Sequence, residues 1–186
     1  MKKMMTALYL LFSPGMVWAD GTANIPVSPR IAMCTLSPAS NSQAMGWVKF
    51  TQRKSYVRVE GEITGLTPGK HAFHVHEKGD CSAPDAVSAG GHYNPTDKVH
   101  GAPTSKDRHV GDLGNIMADK DGTAKFKFTD NVIRLTGANS ILNKSLIIHE
   151  DKDDLKTQPS GNAGKRVACG VIRLLMKQPG LKGDGT

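Results

Sequence analysis

Residues 46–76 read GWVKFTQRKSYVRVEGEITGLTPGKHAFHVH, and apolar and polar side chains alternate along much of this segment. The alternation is clear over residues 46–51 and again over residues 56–60. A period of two residues is typical of β-strands, because successive side chains point to opposite faces of a sheet. Lys54 and Ser55 lie between the two segments and suit a hairpin link. The segment therefore predicts a β-hairpin.

The same pattern continues toward the C-terminus. Thr67-Pro68-Gly69-Lys70 suits a tight turn. Further strand patterns occur at residues 71–76, 116 onward, 124–128, 145–149 and 166–175. Two polar segments, residues 78–111 and 150–165, separate some of these strands. Short strands with turn signals predict an all-β sandwich or barrel, and long loops inside such a domain are usually functional.

The length and composition fit one folded domain, or at most two small ones. The chain has 186 residues, of which 38% are hydrophobic and 22% are charged, which argues against disorder. The formal net charge is +7 and the sequence pI is about 9.4. The basic residues are dispersed and only 5% of residues are aromatic. This composition favours a solvated basic surface, and no nucleic-acid partner is expected.

The first 19 residues are typical of a secretory signal peptide. Lys2 and Lys3 form a basic start, residues 4–18 are mostly apolar, and Val17-Trp18-Ala19 offers a cleavage site after Ala19. A core strand or a short helix is the alternative interpretation. No apolar run reaches the ~20 residues that span a bilayer, so no integral membrane segment is expected after cleavage. The predicted organisation is a signal peptide (1–19), a mobile N-terminal arm (20–29), the functional domain (30–176) and a flexible tail (177–186).

Export would permit a disulfide bond, because disulfides persist in oxidising compartments. The three cysteines, Cys34, Cys81 and Cys169, can form one pair and leave one over. The residues alone do not choose the pair. Three distant cysteines are too few for a zinc site built from four thiolates.

All seven histidines fall between positions 71 and 149. His74 and His76 lie two residues apart in a predicted strand, so their imidazoles share one face and can chelate one metal ion. Further candidate ligands lie in or beside the polar segments: His92, His100, His109, Asp112 and His149. Taken singly, such residues are as often ordinary surface or core features. Their combination in one small domain predicts metal binding, whereas His71 faces the other way and is expected to be structural.

The ligand types suggest two metals. Three histidines and one aspartate form a tetrahedral zinc site without thiolates, and an all-imidazole set suits copper. Six histidines and one aspartate are one ligand short of two independent four-ligand sites. One histidine that binds both metals through its two ring nitrogens would make up the difference, but spacing alone does not show such sharing.

Five motifs then point to one enzyme family. The first is GLTPGKHAFHVHE at residues 65–77. The others are AGGHYNP at 89–95, HG at 100–101, RHVGDLGN at 108–115 and GNAGKRVACGVI at 161–172. In this order the motifs resemble the copper/zinc superoxide dismutases, and the first closely resembles the copper-binding signature of that family. The resemblance covers residues 30–175.

The resemblance implies a Greek-key, immunoglobulin-like β-sandwich or barrel of about eight antiparallel strands with two long functional loops. It also implies one copper ion and one zinc ion per chain. By resemblance the copper ligands are His74, His76, His92 and His149. The zinc ligands are His92, His100, His109 and Asp112, so His92 bridges the two metals.

Other roles are carried over in the same way. Asp153 matches an aspartate that links the two metal sites, and Arg166 matches the arginine that receives the superoxide anion. Cys81 and Cys169 match the disulfide of the family. The implied reaction is the dismutation of superoxide to dioxygen and hydrogen peroxide, with His92 and Arg166 as catalytic residues. His92 would take up a proton and return it to the developing peroxide.

Two departures from the family pattern concern the type of enzyme. Cys81 lies only five residues after His76, which resembles the bacterial exported members. The loop between His149 and Arg166 is shorter than in eukaryotic relatives. We therefore expect a periplasmic or otherwise exported enzyme. The resemblance to the family separately suggests a homodimer. These departures leave the metal chemistry intact but leave the dimer interface and the rate open.

Two rival functions are less well supported. A metal-buffering protein of the same fold would lack a copper ligand or the arginine, and neither is missing here. A zinc hydrolase would need an open zinc position and a general base near the metal. Three histidines and one aspartate would leave no such position on the zinc ion.

Overall fold

The structure is a computed structural model and describes residues 30–175. The predicted signal peptide (1–19), N-terminal arm (20–29) and C-terminal tail (177–186) lie outside the described residues. Within the described range, no helix is both long enough and apolar enough to cross a membrane.

The described residues form nine β-strands and one short 3₁₀ helix at Val87–Ala89. The strands are β1 (Ile31–Pro38), β2 (Met45–Gln52), β3 (Val57–Thr64), β4 (Gly69–His76), β5 (Asp112–Ala118), β6 (Ala124–Asp130), β7 (Ser145–His149), β8 (Arg166–Val171) and β9 (Arg173–Leu174). Two long segments without a named strand contain or adjoin the candidate ligands. We call residues 77–111 the first loop and residues 150–165 the second loop.

All strand pairs are antiparallel, and the order across the sheet is β5-β4-β7-β8-β1-β2-β3-β6, with β9 paired to β1. Strands β5 and β6 lie at the two ends of this order and pack against each other. The sheet is therefore a nearly closed barrel. Its non-sequential neighbours, such as β4 beside β7, are the long connections expected of a Greek key. The predicted all-β fold with two long loops is confirmed.

Three strand assignments differ from the sequence-based prediction. Strand β5 begins at Asp112, four residues before the predicted start at residue 116. Alternation does not predict β1, because its inward residues include the small Ala32 and Cys34, which give a weak apolar signal. The predicted single strand over residues 166–175 is divided at the buried Ile172. The division follows from pairing, since β8 pairs with β7 and the end of β1, whereas β9 pairs with the start of β1.

The core fills the barrel with the inward residues of each strand. In β3, Val57, Val59 and Ile63 are fully buried and alternate with more exposed residues. On the opposite side, Phe73 of β4 lies edge-on to Phe126, with ring centroids 5.3 Å apart. Burial of such side chains stabilises the barrel by roughly 1.5–3 kcal/mol each relative to exposure.

Strand β4 is buried on both faces from His71 to His76. Phe73 and Val75 belong to the hydrophobic core, so His74 and His76 point to the opposite face. A register shift between Ala72 and His74 marks an irregularity where β4 pairs with β5. The two loops cover the histidine face, and this cover turns an outer sheet face into a buried polar site.

Candidate metal centre

Four histidines converge on the outer face of the barrel. His74 and His76 lie on β4, and His149 ends β7, which pairs directly with β4. His92 comes from the first loop and forms an isolated antiparallel bridge with His76. One nitrogen from each ring lies within 4.8 Å of the others. We call these residues the four-histidine group.

A second set of four ligands lies beside the first. His92, His100, His109 and Asp112 each offer one atom within 4.8 Å of the others. We call these residues the mixed group. His92 belongs to both groups, as the resemblance implies. The structure thus brings together the same two sets of residues that the motifs indicate.

Buried ring nitrogens without hydrogen-bond partners mark both groups. In the described residues, six buried side-chain nitrogens or oxygens have no hydrogen-bond partner, and five of them are ring nitrogens of these histidines. They are His74 Nδ1, His76 Nε2, His92 Nε2, His149 Nε2 and His100 Nδ1. The last lies 3.0 Å from Asp112 Oδ1, a close contact that does not have the geometry of a hydrogen bond. A buried polar atom without a partner is costly, so such atoms need a ligand. The donor atoms of the four-histidine group therefore fit a metal ion.

The opposite nitrogen of each ring is occupied by the protein. His76 Nδ1 lies 2.8 Å from the carbonyl oxygen of Gly90, and His149 Nδ1 lies 3.3 Å from that of Gly164. His74 Nε2 lies 2.7 Å from Asp153 Oδ2. A proton held on these nitrogens leaves a lone pair on the nitrogen that faces the group, as metal-binding histidines require.

The mixed group has the spacing of a tetrahedral zinc site. The Nδ1 atoms of His92, His100 and His109 lie 2.8, 3.0 and 3.1 Å from Asp112 Oδ1, respectively. The Nδ1 atoms of His92 and His109 lie 3.4 Å apart. Zinc–ligand bonds of about 2.0–2.1 Å place tetrahedral ligand atoms about 3.3 Å apart. The four distances lie near this value, and all four atoms lie within 4.8 Å of one another, so they can converge on one zinc ion.

Asp153 joins the two groups from the second loop. Its Oδ2 contacts His74 Nε2 at 2.7 Å, and its Oδ1 contacts His100 Nε2 at 2.9 Å. Asn115 holds the main chain of Asp153, since its amide donates to the carbonyl oxygen at 3.0 Å and accepts from the N–H at 2.7 Å. The carboxylate is thus fixed between one ligand of each group.

Burial keeps most of these histidines uncharged. It lowers the pKa of His74 to about 4, and the hydrogen bond to Asp153 only partly opposes this effect. Burial, with the nearby histidines, also holds the pKa values of His76 and His149 well below the usual range. Neutral imidazoles at pH 7 are the form that binds a metal ion.

His100 differs because two carboxylates face it. Burial opposes a charge on this ring, but Asp112 and Asp153 outweigh burial and raise the pKa of His100 to about 9. Burial would raise the pKa of Asp112, but the histidine contacts, above all those from His100 and His92, outweigh it and lower that pKa. Metal binding at the mixed group requires the neutral form of His100, which these two carboxylates disfavour.

Arg166 lies in a cavity beside the four-histidine group. The half-buried guanidinium donates to the carbonyl oxygens of Ala86 at 2.7 Å and Gly90 at 2.8 Å. The cavity has a volume of about 390 Å³ and is lined by His76, Gly91, His92, Asn94, His109, His149, Pro159, Ser160, Gly164 and Arg166. A small anion in this cavity would therefore meet a positive charge and three of the four histidines.

The structure also gives the positions of the three cysteines and of His71. Cys81 and Cys169 form a disulfide that ties the first loop to β8, with Cα atoms 5.8 Å apart. Cys34 is buried in the core as a free thiol. His71 belongs to neither group, and its ring nitrogens lie 2.8 Å from the carbonyl oxygens of His149 and Thr67.

Sequence reasoning did not predict the residues that hold the main chain of two ligands, Asp112 and His100, in place. Arg108 and Asp130 form a buried ion pair, and Arg108 Nη1 also donates to the carbonyl oxygen of Asp112 at 2.6 Å. Gln158 bonds to the main chain of His100. The position of Arg108 next to the candidate ligand His109 is a weak signal for the Arg108 contacts. Nothing in the sequence pattern indicates the contact between Gln158 and His100.

The comparisons with known proteins agree with this geometry. The chain matches the family described as copper/zinc superoxide dismutase (SODC) over residues 44–172. It is 46% identical over 145 residues to the extracellular superoxide dismutase (Cu-Zn) of Brugia pahangi, across 73% of this chain and 72% of that relative. It is 47% identical over 134 residues to the superoxide dismutase (Cu-Zn) of Paramecium bursaria Chlorella virus 1, across 68% of this chain and 71% of that relative.

The fold is also similar to that in the crystal structure of the clock protein EA4. The TM-score is 0.73 at 42% sequence identity, and the match covers 80% of this chain and 96% of that one. The two relatives named above come from a nematode and a virus, so the narrower expectation of a bacterial exported type stays a prediction. The chain belongs to the copper/zinc superoxide dismutase family, whose enzymes convert superoxide to dioxygen and hydrogen peroxide with one copper ion and one zinc ion.

Proposed function

We propose that the four-histidine group binds the copper ion and that the mixed group binds the zinc ion, with His92 contributing one nitrogen to each. The set of buried ring nitrogens without hydrogen-bond partners carries this assignment. An all-imidazole set suits copper, and the carboxylate of Asp112 adds a harder ligand that zinc accepts. Asp153 orients a ligand in each group and so supports both sites.

The chain contributes a charge, a proton carrier and a shaped cavity to the reaction. When bound, copper alternates between two oxidation states, which allows one superoxide to be oxidised and a second to be reduced. Arg166 carries a permanent positive charge on the cavity wall, so it attracts and orients the anion. The carbonyl oxygens of Ala86 and Gly90 fix the direction of its guanidinium. The Nε2 atom of His92 faces the four-histidine group, where it would take up a proton whenever it is not a copper ligand. It would then deliver that proton as one of the two that the developing hydrogen peroxide needs.

Metal analysis and activity on one sample test this proposal. Copper and zinc are measured in the purified mature chain, and superoxide dismutation is assayed on the same material. We expect one equivalent of each metal and fast activity that cyanide inhibits. Both metals in that ratio without activity would overturn the catalytic assignment and favour metal buffering.

We further propose that the enzyme is exported, to the periplasm or otherwise out of the cytosol, after cleavage following Ala19. The basic and apolar pattern of residues 1–19 supports export. So does the disulfide, which an oxidising compartment would preserve. Relatives from Brugia pahangi and Haemonchus contortus are named extracellular. Fractionation of the source cells and N-terminal sequencing of the mature chain test this proposal, and an intact Met1 in the cytosol would contradict it.

A homodimer and the absence of nucleic-acid binding remain expectations from the resemblance and the composition. Sedimentation of the metal-loaded chain measures the first. Gel-shift titration with duplex DNA measures the second. A monomer over the whole concentration range would contradict the expected dimer, and a shift at physiological salt would contradict the expected absence of DNA binding.

A further inference from the structure

His100 lies in irregular backbone, and one side chain holds its main chain in place. The backbone N–H of His100 donates to Gln158 Oε1 at 2.8 Å, and Gln158 Nε2 donates to the carbonyl oxygen of His100 at 2.9 Å. The two residues are 58 positions apart in the chain. The amide of Gln158 thus acts on His100 as a neighbouring β-strand would, since it satisfies both the donor and the acceptor of one residue.

The second loop also holds the side chain of His100. Asp153 Oδ1 contacts His100 Nε2 at 2.9 Å, while His100 Nδ1 faces Asp112 in the mixed group. Three atoms of His100, namely its main-chain nitrogen and oxygen and its Nε2, therefore bond to the second loop. This arrangement leaves Nδ1 as the one polar atom of the residue that is aimed at the metal position.

Gln158 is itself presented by an ordered turn. Asp154 Oδ1 accepts from the N–H groups of Lys156 at 2.9 Å and Thr157 at 2.8 Å, and Gly161 N–H donates to the carbonyl oxygen of Thr157 at 2.7 Å. Gln158 Nε2 also contacts the carbonyl oxygen of Lys156 at 3.1 Å. These bonds restrict the positions that the side-chain amide of Gln158 can take. The amide is therefore preorganised for its two hydrogen bonds to His100.

We propose that Gln158 is a positioning residue for the zinc ligand His100. The inference rests on the proposed assignment of the mixed group to zinc. Gln158 fixes the main chain of His100 before the metal binds, so that the unbound protein loses less conformational freedom on binding zinc. Pro159 and Ser160 follow Gln158 directly and line the cavity that contains Arg166. The same short segment therefore connects a zinc ligand to the wall of the substrate cavity.

A matched control separates positioning from general stabilisation. Gln52 makes the same kind of contacts far from the metal groups. Its Oε1 accepts from Leu135 N–H at 2.9 Å, and its Nε2 donates to the carbonyl oxygen of Arg53 at 2.7 Å. Gln52→Ala removes a comparable pair of amide bonds, whereas Gln158→Glu keeps the acceptor for His100 N–H and loses the donor.

The test measures metal binding to copper-free and zinc-free protein with its disulfide intact. Zinc affinity is determined by competition with a chromophoric chelator, and Co²⁺ is titrated as a spectroscopic probe of the zinc position. We expect Gln158→Ala to lower zinc affinity about tenfold, because two hydrogen bonds of ordinary strength are lost and water partly replaces them at this exposed position. The visible bands of bound Co²⁺ should also change, since the geometry at His100 relaxes. Gln158→Glu should show a smaller loss, and Gln52→Ala should lower the melting temperature with unchanged affinity.

Three results would overturn the inference, and each points to a different cause. If Gln158→Ala binds zinc and Co²⁺ like the unaltered chain, Gln158 does not position His100, and the zinc assignment stands. If the unaltered chain and an Asp112→Ala variant bind Co²⁺ alike, the mixed group is not the zinc site and the proposed function fails at that point. An equal loss of affinity in Gln158→Ala and Gln52→Ala would show general destabilisation and would also reject the inference.

Discussion

The two ligand groups share His92 but are built in different ways. In the four-histidine group, His74, His76 and His149 lie on β4 and β7, which are paired over four consecutive residues. In the mixed group, His100 and His109 lie in the first loop, and Asp112 is the first residue of β5. The first group is therefore assembled mainly by a sheet, and the second mainly by a loop.

This difference determines what each group depends on. The ladder of main-chain hydrogen bonds sets the spacing of the strand histidines. The loop ligands depend on partners distant in sequence, which include Asp153, Gln158 and the Arg108–Asp130 ion pair. Loss of one partner of a buried ion pair typically costs about 3–5 kcal/mol. We therefore expect the mixed group to be the more sensitive to changes outside its own ligands.

The largest expected effect comes from removing one ligand of each group in turn. His149→Ala should abolish copper binding and dismutation but leave zinc bound, because all four atoms of the mixed group remain. Asp112→Ala should give the reverse metal content. Elemental analysis and the dismutation assay measure both variants. Loss of zinc together with copper in His149→Ala would contradict the division into two groups.

The next effect tests the second loop at a point of close approach. Gly161 has φ +70°, and a Cβ atom there would clash with Asp153 Oδ1 and lie 2.7 Å from His100 Nε2. Gly161→Ala should lower zinc affinity by roughly 10–100-fold, as expected when a ligand loses its supporting partner. Chelator competition measures the affinity.

Gly137 provides the matched control for this substitution. Its φ is +76°, but a Cβ atom there would meet nothing within 4 Å. Gly137→Ala thus introduces the same backbone strain without the clash and should leave metal binding unchanged. Equal zinc affinities in Gly161→Ala and Gly137→Ala would show that the clash with Asp153 and His100 does not determine zinc affinity.

A smaller effect is expected at the cavity of the four-histidine group. Arg166→Ala should lower the rate of dismutation about tenfold at low ionic strength and weaken its salt dependence, with both metals still bound. Electrostatic attraction of a charged substrate accounts for such an effect, and superoxide dismutase is itself a standard example of it. Arg166→Lys should retain part of the rate. An unaltered rate in the alanine variant would show that other residues guide superoxide.

The smallest effect is expected at Cys34, which lies in the core away from both groups. Burial raises the pKa of Cys34 to about 12, so the thiol stays protonated in the folded chain at pH 8. Unfolding would restore the ordinary value of about 8.5. The folded state therefore holds this proton to higher pH, and the associated stability is lost as pH rises from about 8.5 through about 12.

Alkylation with iodoacetamide at pH 8 tests this protection. The folded, disulfide-intact chain should remain unmodified at Cys34, whereas the same chain in denaturant should react fully, as measured by mass spectrometry. Cys34→Ala, in which no free thiol remains with the disulfide intact, is the control for labelling elsewhere. Rapid labelling of the folded chain would show that the core around Cys34 opens readily.

Much of the barrel could be predicted from local pattern. Strand β7 has the predicted bounds, and β2, β3 and β6 are predicted to within a few residues, because their apolar and polar residues alternate. Strand β1 escaped prediction because Ala32 and Cys34 are small. The division between β8 and β9 depends on two different partners of the barrel, which no local pattern records.

The candidate site was also predictable in part. The motifs select both sets of ligands and the Cys81–Cys169 pair, and the structure places each set together. The contacts of Gln158, Asn115 and Asp130 were not predicted. These contacts join residues 22–58 positions apart through main-chain or single side-chain bonds, which leave no periodic trace in the sequence.

The sequence by itself determined the period of the strands, the chemical types of the ligands and the family. These properties are local, since they depend on the order of neighbouring residues. The resemblance to the family also implied that His92 is shared by the two groups. Only the tertiary structure decided which nitrogen of each ring is free and that Gln158 of the second loop holds the main chain of His100 in the first loop. These features depend on the nearly closed barrel and the two loops that cover it. Burial removes water as a hydrogen-bond partner, so each ring nitrogen must contact either a protein atom or a metal ion.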